Sequence, residues 1–331
     1  MYAGGIGVKQ NLEKAFEWYE KASNQNHNWG LYNLAEMYYS GTIGDKNYRK
    51  AFELFKKSAE LNNYDAQNRL ANMYYSGYGT KRDYKNAIYW YEKSANQDYD
   101  WAQHNLAKMY YNGEYVKKSY PKAIELFKKA AEQDNRDSQN RLGNMYYSGE
   151  GVEQNYKQAA FWYQKSADNH FNWGQDNLGD MYYDGKGVKQ NLEKAFALYQ
   201  KAAKQNNSES QDMLGLMYRD GIGIEKDYKK ALYWFQKSAD NNFDWGIINL
   251  GYMHYYGLGI KKNYKMALSL FNKALLLNNY KANCLVAMMY IEGKGTIINL
   301  KKAKQKLKIP YKNNYKEAKR IWQKYNLSSI R

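Results

Sequence analysis

The dipeptide Met-Tyr returns every 36 residues: Met1-Tyr2, Met37-Tyr38, Met73-Tyr74, Met109-Tyr110, Met145-Tyr146, Met181-Tyr182 and Met217-Tyr218. Met253-His254 and Met289-Tyr290 continue the register. A fixed period of this length means stacked supersecondary units, each closed only by its neighbours. Such an array works through the surface its stack presents rather than through a catalytic pocket. Counting domains by length therefore fails for these 331 residues.

Each period reads as two helices. Leu34 anchors the first, with Leu70, Leu106, Leu142, Leu178, Leu214, Leu250 and Val286 in register, each followed by Ala or Gly. Leucine, a small residue and Met-Tyr three to four positions on share one helical face. The helix is expected to end at Gly41, Gly77, Gly113, Gly149, Gly185, Gly221, Gly257 and Gly293, left-handed positions just past its last turn. A second glycine two residues on reads as a turn, since no strand precedes it to make a dinucleotide fingerprint. Asn11, Asn47, Asp83, Ser119, Asn155, Asn191, Asp227, Asn263 and Asn299 are expected to cap the second helix. Four residues after each cap comes an alanine (Ala15 to Ala303), and four further on an aromatic from Tyr19 to Phe271. Alanine marks a tight helix crossing and the ring fills the layer between repeats. The lysine two past the ring (Lys21 to Lys273) suits the last turn of a helix, where a cation complements the dipole.

Composition excludes other classes. Two prolines and 25 glycines rule out a linker-rich or collagenous chain, and aromatics at 17% supply a core despite low mean hydropathy. No run of apolar residues is long enough to span a membrane. Cys284 is the only cysteine, so no internal disulfide forms, and its apolar surroundings read as a small buried hydrophobe. Met1 already stands in the Met-Tyr register, so the chain is expected to be a piece of a longer array. An export signal upstream would decide localisation, which stays open between cytoplasm and export.

The pattern Leu-(Gly/Ala)-x-Met-Tyr-x-x-Gly-x-Gly-(Val/Ile), then Asp/Asn-Tyr-x-Lys-Ala, then Trp-Tyr-x-Lys-Ser/Ala-Ala resembles the Sel1-like repeat family. Residues Leu178 to Val188 match it almost without departure. The resemblance covers about residues 1–308. It implies an all-α, right-handed α/α superhelical solenoid related to tetratricopeptide repeats, with an adaptor or scaffold role and no shared active site. It divides the chain into a partial first repeat at 1–8, the repeat solenoid at 9–308 and a basic capping segment at 309–331, with a terminal helix from Tyr315 to Tyr325. Ile43 and Tyr115 replace the second loop glycine, and those two loops are expected to bend differently.

By the same resemblance, the first helix of each pair lines a concave groove that takes another protein or a peptide. Five residues past the anchor stand Tyr39, Tyr75, Tyr111, Tyr147, Tyr183 and Tyr255. Asn68/Asn72 and Asn140/Asn144 are i,i+4 pairs able to hold the donors and acceptors of an extended polypeptide. The tyrosines read equally as packing within the repeat itself. Trp29, Trp101, Trp173 and Trp245 return every 72 residues, so the duplicating unit is a pair of repeats. That longer period reads either as duplication history or as a ladder of aromatic sockets.

Net charge is +17, and Lys294 to Arg331 hold twelve Lys/Arg against one acid, Glu317. The alternative function is therefore nucleic-acid or anionic-surface binding through Lys301, Lys302, Lys304, Lys306, Lys308, Lys312, Lys316, Lys319 and Arg320. A solvated cap explains the same charge. His27, His104, His170 and His254 are at least 66 residues apart. With no zinc-ligand spacing, nucleophile elbow or P-loop, neither an enzyme, a metal nor a cofactor is expected.

Overall fold

The computed structural model describes residues 10–330 together with Gly4, so the partial repeat at 1–8 lies outside the described residues but for that glycine. Among the described residues there are eighteen α-helices and no strand. Two compact units divide the chain after Asn169. The first holds α1 (Leu12–Asn24), α2 (Asn28–Ser40), α3 (Tyr48–Glu60), α4 (Tyr64–Ser76), α5 (Tyr84–Ala95), α6 (Asp100–Asn112), α7 (Tyr120–Glu132), α8 (Arg136–Ser148) and α9 (Tyr156–Asp168). The second holds α10 (Asn172–Asp184), α11 (Leu192–Lys204), α12 (Ser208–Asp220), α13 (Tyr228–Asp240), α14 (Asp244–Tyr256), α15 (Tyr264–Leu276), α16 (Tyr280–Glu292), α17 (Leu300–Lys312) and α18 (Lys316–Lys324), then a 3₁₀ turn at Leu327–Ser329. Even-numbered helices up to α16 carry the Met-Tyr dipeptide (Met253-His254 in α14) and are called A; odd-numbered ones are called B. Within each unit every helix packs on its neighbours in sequence, making an α/α solenoid of helix pairs.

The Met-Tyr dipeptide closes the loop after its own helix. The Met37 carbonyl accepts from the Gly41 and Thr42 amides, while the Tyr38 carbonyl accepts from Asn47, the cap of α3. The same three bonds recur in later loops, as at Met181, Tyr182 and Asn191. Two otherwise orphaned carbonyls are thereby satisfied and the next helix is started at a fixed offset. Asn47 Oδ1 then accepts from Lys50 N at 3.0 Å; Ser119 also sits at the cap position, but its side chain makes no capping bond.

The crossing alanines, Ala51 to Ala303, are fully buried, as are Phe55, Phe127, Tyr199, Phe235 and Phe271 one turn later. A Cβ added at Gly143 would overlap the Tyr163 ring, and one at Gly215 the Phe235 ring, which is why the residue after the anchor stays small. Buried serines brace four of the pairs: Ser58 Oγ donates to Asn28 O at 2.7 Å and Ser94 Oγ to Tyr64 O at 2.8 Å, with Ser166 and Ser238 alike, while Ala130, Ala202 and Ala274 take the place elsewhere.

Two features differ from expectation. The Tyr115 loop keeps the common bend, because Tyr115 itself adopts φ 59°, the glycine conformation, and stacks on Tyr84. Helix α17 also runs through Pro310 to Lys312, four residues beyond position 308. Pro310 cannot donate to Lys306 O, and the Asn283 carboxamide donates there instead at 2.8 Å. Every B helix in turn hands over to the next A helix through a left-handed residue, from Asn26 and Asn62 to Asn278 and Asn314. That 36-residue series of Asn, Asp and His was a legible signal, and it extends the period as far as Tyr315, the residue before α18.

Candidate binding face

The tryptophans stand second in their helices, in the first turn of α2, α6, α10 and α14. Trp29 is 38% exposed, Trp101 40%, Trp173 42% and Trp245 45%, high for a side chain that is strongly buried on average. Asn28 Oδ1 accepts from Trp29 N at 2.7 Å, and Asn172 and Asp244 do the same for Trp173 and Trp245 at 2.8 Å, which pins the backbone that aims those three rings. Trp29 sets an edge against Tyr32 and Tyr64, and Trp101 against His104.

The tyrosines lie at the other end of the A helices: Tyr39, Tyr111, Tyr183 and Tyr255 on the tryptophan-bearing ones, Tyr75 and Tyr147 on α4 and α8, where Asp65 and Asp137 stand in the tryptophan register. Ten residues of helix span about 15 Å, so the structure does not bring them against the tryptophans of their own repeat. Each meets the first tyrosine of the next B helix edge-on: Tyr39 with Tyr48, Tyr75 with Tyr84, Tyr111 with Tyr120, Tyr147 with Tyr156 and Tyr255 with Tyr264, at 5.2–5.5 Å between centroids. Tyr183 faces Leu192 in that register and is half-buried. Three of the phenols reach the following loop. Tyr75 Oη donates to Glu114 at 2.7 Å, Tyr111 and Tyr120 both donate to Glu150, and Lys294 Nζ donates to Tyr255 Oη at 2.6 Å. The Glu114 bond pushes Tyr75 up to about 12; burial, then Glu150, does the same for Tyr111.

Between these ends the face is polar, and much of it is spoken for. Asn105 donates to Asn68 Oδ1 at 3.1 Å. The Tyr91 hydroxyl donates to Asn72 Oδ1 at 2.6 Å and Tyr163 to Asn144 at 2.7 Å, while Asn140 is half-buried with a partner of its own. Asp180 accepts likewise from Tyr199 at 2.6 Å. Sequence reasoning missed this coupling, although it is legible. The position two past the anchor is Asn or Asp where the B-helix ring is tyrosine, and Glu36, Lys108, Leu216 or Tyr252 where it is Phe55, Phe127, Phe235 or Phe271.

Successive A helices are joined directly along this strip. In the first unit Glu36 pairs with Arg69 at 2.6 Å, and His104 Nδ1 meets Ser138 Oγ at 2.7 Å. Burial holds His104 down at about 3, so it stays neutral. Arg141 lies over the Tyr111 ring at 4.6 Å. A cavity of about 160 Å³ opens between α4 and α6, lined by Asn72, Tyr75, Asn105, Lys108 and Glu114 among others. In the second unit the strip is acidic. Ser210 donates to Asp176, and Asn249 donates to Asp212 at 2.8 Å. Burial, then Asp180, pushes Asp176 up to about 8, and burial pushes Asp212 up to about 6. Glu36, Arg69, Lys108 and Arg141 in one unit thus correspond to Asp180, Met213, Tyr252 and Leu285 in register in the other.

The remaining sequence candidates fall elsewhere. Cys284 is buried and its thiol is pushed up to about 12 by burial. The B-helix lysines sit in last turns, Lys21 over Trp18 at 4.8 Å and Lys93 over Tyr89 at 5.6 Å. Among the described residues no group of three His, Cys, Asp or Glu side chains is placed to hold a metal, and no helix is long and apolar enough to cross a membrane.

The Sel1 repeat model matches nine times, at residues 1–27, 30–63, 65–99, 102–135, 136–171, 174–207, 208–243, 246–279 and 281–305. Among solved structures the chain is similar to c5321, a protective antigen of uropathogenic Escherichia coli displaying an SLR fold. It shares 29% identity with that protein at a TM-score of 0.73, over 93% of this chain and 73% of the other. It is also similar to a Sel1 repeat protein from Oxalobacter formigenes, with 33% identity and a TM-score of 0.67, over 73% of this chain and 97% of that one. No curated protein matches. Nine matched repeats, eight of which fall on successive helix pairs from α2/α3 to α16/α17 among the described residues, place this chain in the Sel1 repeat family.

Proposed function

We propose that the chain is a non-enzymatic protein-binding scaffold whose A-helix face forms a concave groove for a peptide segment or partner protein. The observation that carries this is the set of tryptophans with 38% to 45% exposure at the helix starts, since large rigid aromatics with free faces are the side chains that dominate interface energetics. Side chains joining one A helix to the next, at Glu36–Arg69, Asn105–Asn68 and Asn249–Asp212, support the A helices as the inner, closely spaced side of each unit. The tyrosines, held by their B-helix neighbours, offer rigid edges; Asn68, Asn72, Asn140 and Asn144 offer only the hydrogen-bonding capacity their internal partners leave.

The test is affinity capture from source lysate at two salt concentrations, with wild type beside Trp29→Ala/Trp101→Ala and Trp173→Ala/Trp245→Ala. A partner held by wild type at high salt and lost by either double variant, with melting temperature nearly unchanged, is the expected result. Equal capture by all three proteins would remove the tryptophans from the binding face.

A further inference from the structure

The basic C-terminal end contains a formed cavity. Helix α17 buries Ala303, Leu307 and Pro310, which leaves Lys301, Lys304, Lys308 and Lys312 on its opposite stripe. That stripe spans eleven residues, about 16 Å. Helix α18 crosses here and lays Trp322 on Tyr311, ring centroids 4.5 Å apart and 28° between planes. Trp322 Nε1 donates to Ser328 Oγ at 3.1 Å, and Lys304 Nζ donates to Ile330 O at 2.6 Å, so the 3₁₀ turn is folded over as a wall. The four lysines, the two rings, Gln305 and Ile330 line an open recess of about 510 Å³. Among the described residues no carboxylate lines it, and none pairs with Lys301, Lys308 or Lys312.

We propose that this cavity and its lysine stripe bind single-stranded nucleic acid, a base packing against the Tyr311–Trp322 pair and the phosphates lying along Lys301, Lys304, Lys308 and Lys312. Cations alone would suit any anion; cations around half-buried rings suit one whose charges alternate with flat apolar surfaces, which is the chemistry of an unpaired strand. The stripe is longer than one nucleotide, so the chemistry favours a strand over a free nucleotide. Its concavity differs from the protruding apolar face that enters a lipid surface. The core beneath, where Ala318, Ile321 and Leu327 cover Cys284, Ala287 and Leu307, makes truncation of this end a test of folding rather than of binding.

The experiment is fluorescence anisotropy of the full chain with a short labelled oligothymidine, between about 50 and 200 mM salt. Wild type is compared with Lys301→Gln/Lys308→Gln/Lys312→Gln and with a charge-matched control, Lys157→Gln/Lys229→Gln/Lys265→Gln. The expected result is binding by wild type and control, at least tenfold weaker binding by the first triple variant, and a fall of about 2 in its salt slope. An abasic oligomer of the same length is expected to bind wild type at least tenfold more weakly. No binding at the lowest salt, equal loss in the control, or equal affinity for the abasic strand would each overturn the assignment. Thymidine monophosphate displacing the strand at equal concentration would overturn the strand in favour of a nucleotide.

Discussion

The Asn283 carboxamide donates to the Lys306 carbonyl at 2.8 Å, the carbonyl for which Pro310 supplies no helical donor. A helix with proline in its last turn thereby keeps that carbonyl satisfied. Asn283→Ala is expected to destabilise the end of the array by about 1–2 kcal/mol, the cost of an unsatisfied, poorly solvated carbonyl. Pro310→Ala restores the amide, so Asn283→Ala should cost less in that background. Hydrogen exchange of α17 amides in the four proteins of the cycle measures the difference; simple additivity would contradict it.

Asp176 gives a pH dependence with a definite sign. An unfolded aspartate titrates near 3.9, and burial raises the folded group to about 8. Below about pH 4 both states hold the proton and the group contributes no difference. Between there and about pH 8 only the folded state keeps it, so folding becomes progressively less favourable as pH rises, and the loss levels off above. Asp176→Asn, which installs the residue found in register at Asn68 and Asn140, is therefore expected to raise the melting temperature more at about pH 9 than at about pH 5. An equal gain at both would show the carboxylate to be solvated.

The hydroxyl of Tyr91 and the amide of Asn72 form a matched pair at 2.6 Å, whereas Phe235 and Leu216 occupy the same register without polar atoms. Tyr91→Phe is expected to cost about 1 kcal/mol by leaving Asn72 unpaired. Adding Asn72→Leu should recover much of that loss. Thermal unfolding of the two single variants and the double reads the coupling directly.

Gly79 lies at φ +70°, and a Cβ there would overlap the Tyr48 carbonyl oxygen. Gly79→Ala is expected to destabilise by roughly 2 kcal/mol or more, through both backbone strain and the displaced first turn of α3. Gly44, with φ +82° and open space around it, should lose only the conformational part, of the order of 1 kcal/mol. Similar losses at both positions would place the cost in the backbone alone.

The helices themselves were legible because their signals are local. A glycine that can turn left-handed after Met-Tyr, an asparagine that caps its own third amide, and an alanine followed by a ring one turn later all act within ten residues. The capping helix α18 was equally visible from Tyr315 to Tyr325. The continuation of α17 through Pro310 was not, because the donor that compensates for proline comes from Asn283, 23 residues away.

The binding face divides along the same physical line. Sequence alone determined that this is a stack of 36-residue helix pairs, that its alanines and rings are the core, and that Trp29, Trp101, Trp173 and Trp245 share a register, since periodicity and local propensity need no knowledge of contacts. Tertiary structure decided which polar residues on that face are already occupied. Asn68, Asn72 and Asn144 look like free donors and acceptors in the sequence, and stacking gives each a partner 19 or 37 residues away. It likewise gathered the lysines of α17 and the ring of Trp322 around one cavity. A hydrogen bond or a pocket depends on distance in space, and in a solenoid that distance is fixed only when one repeat is laid on the next.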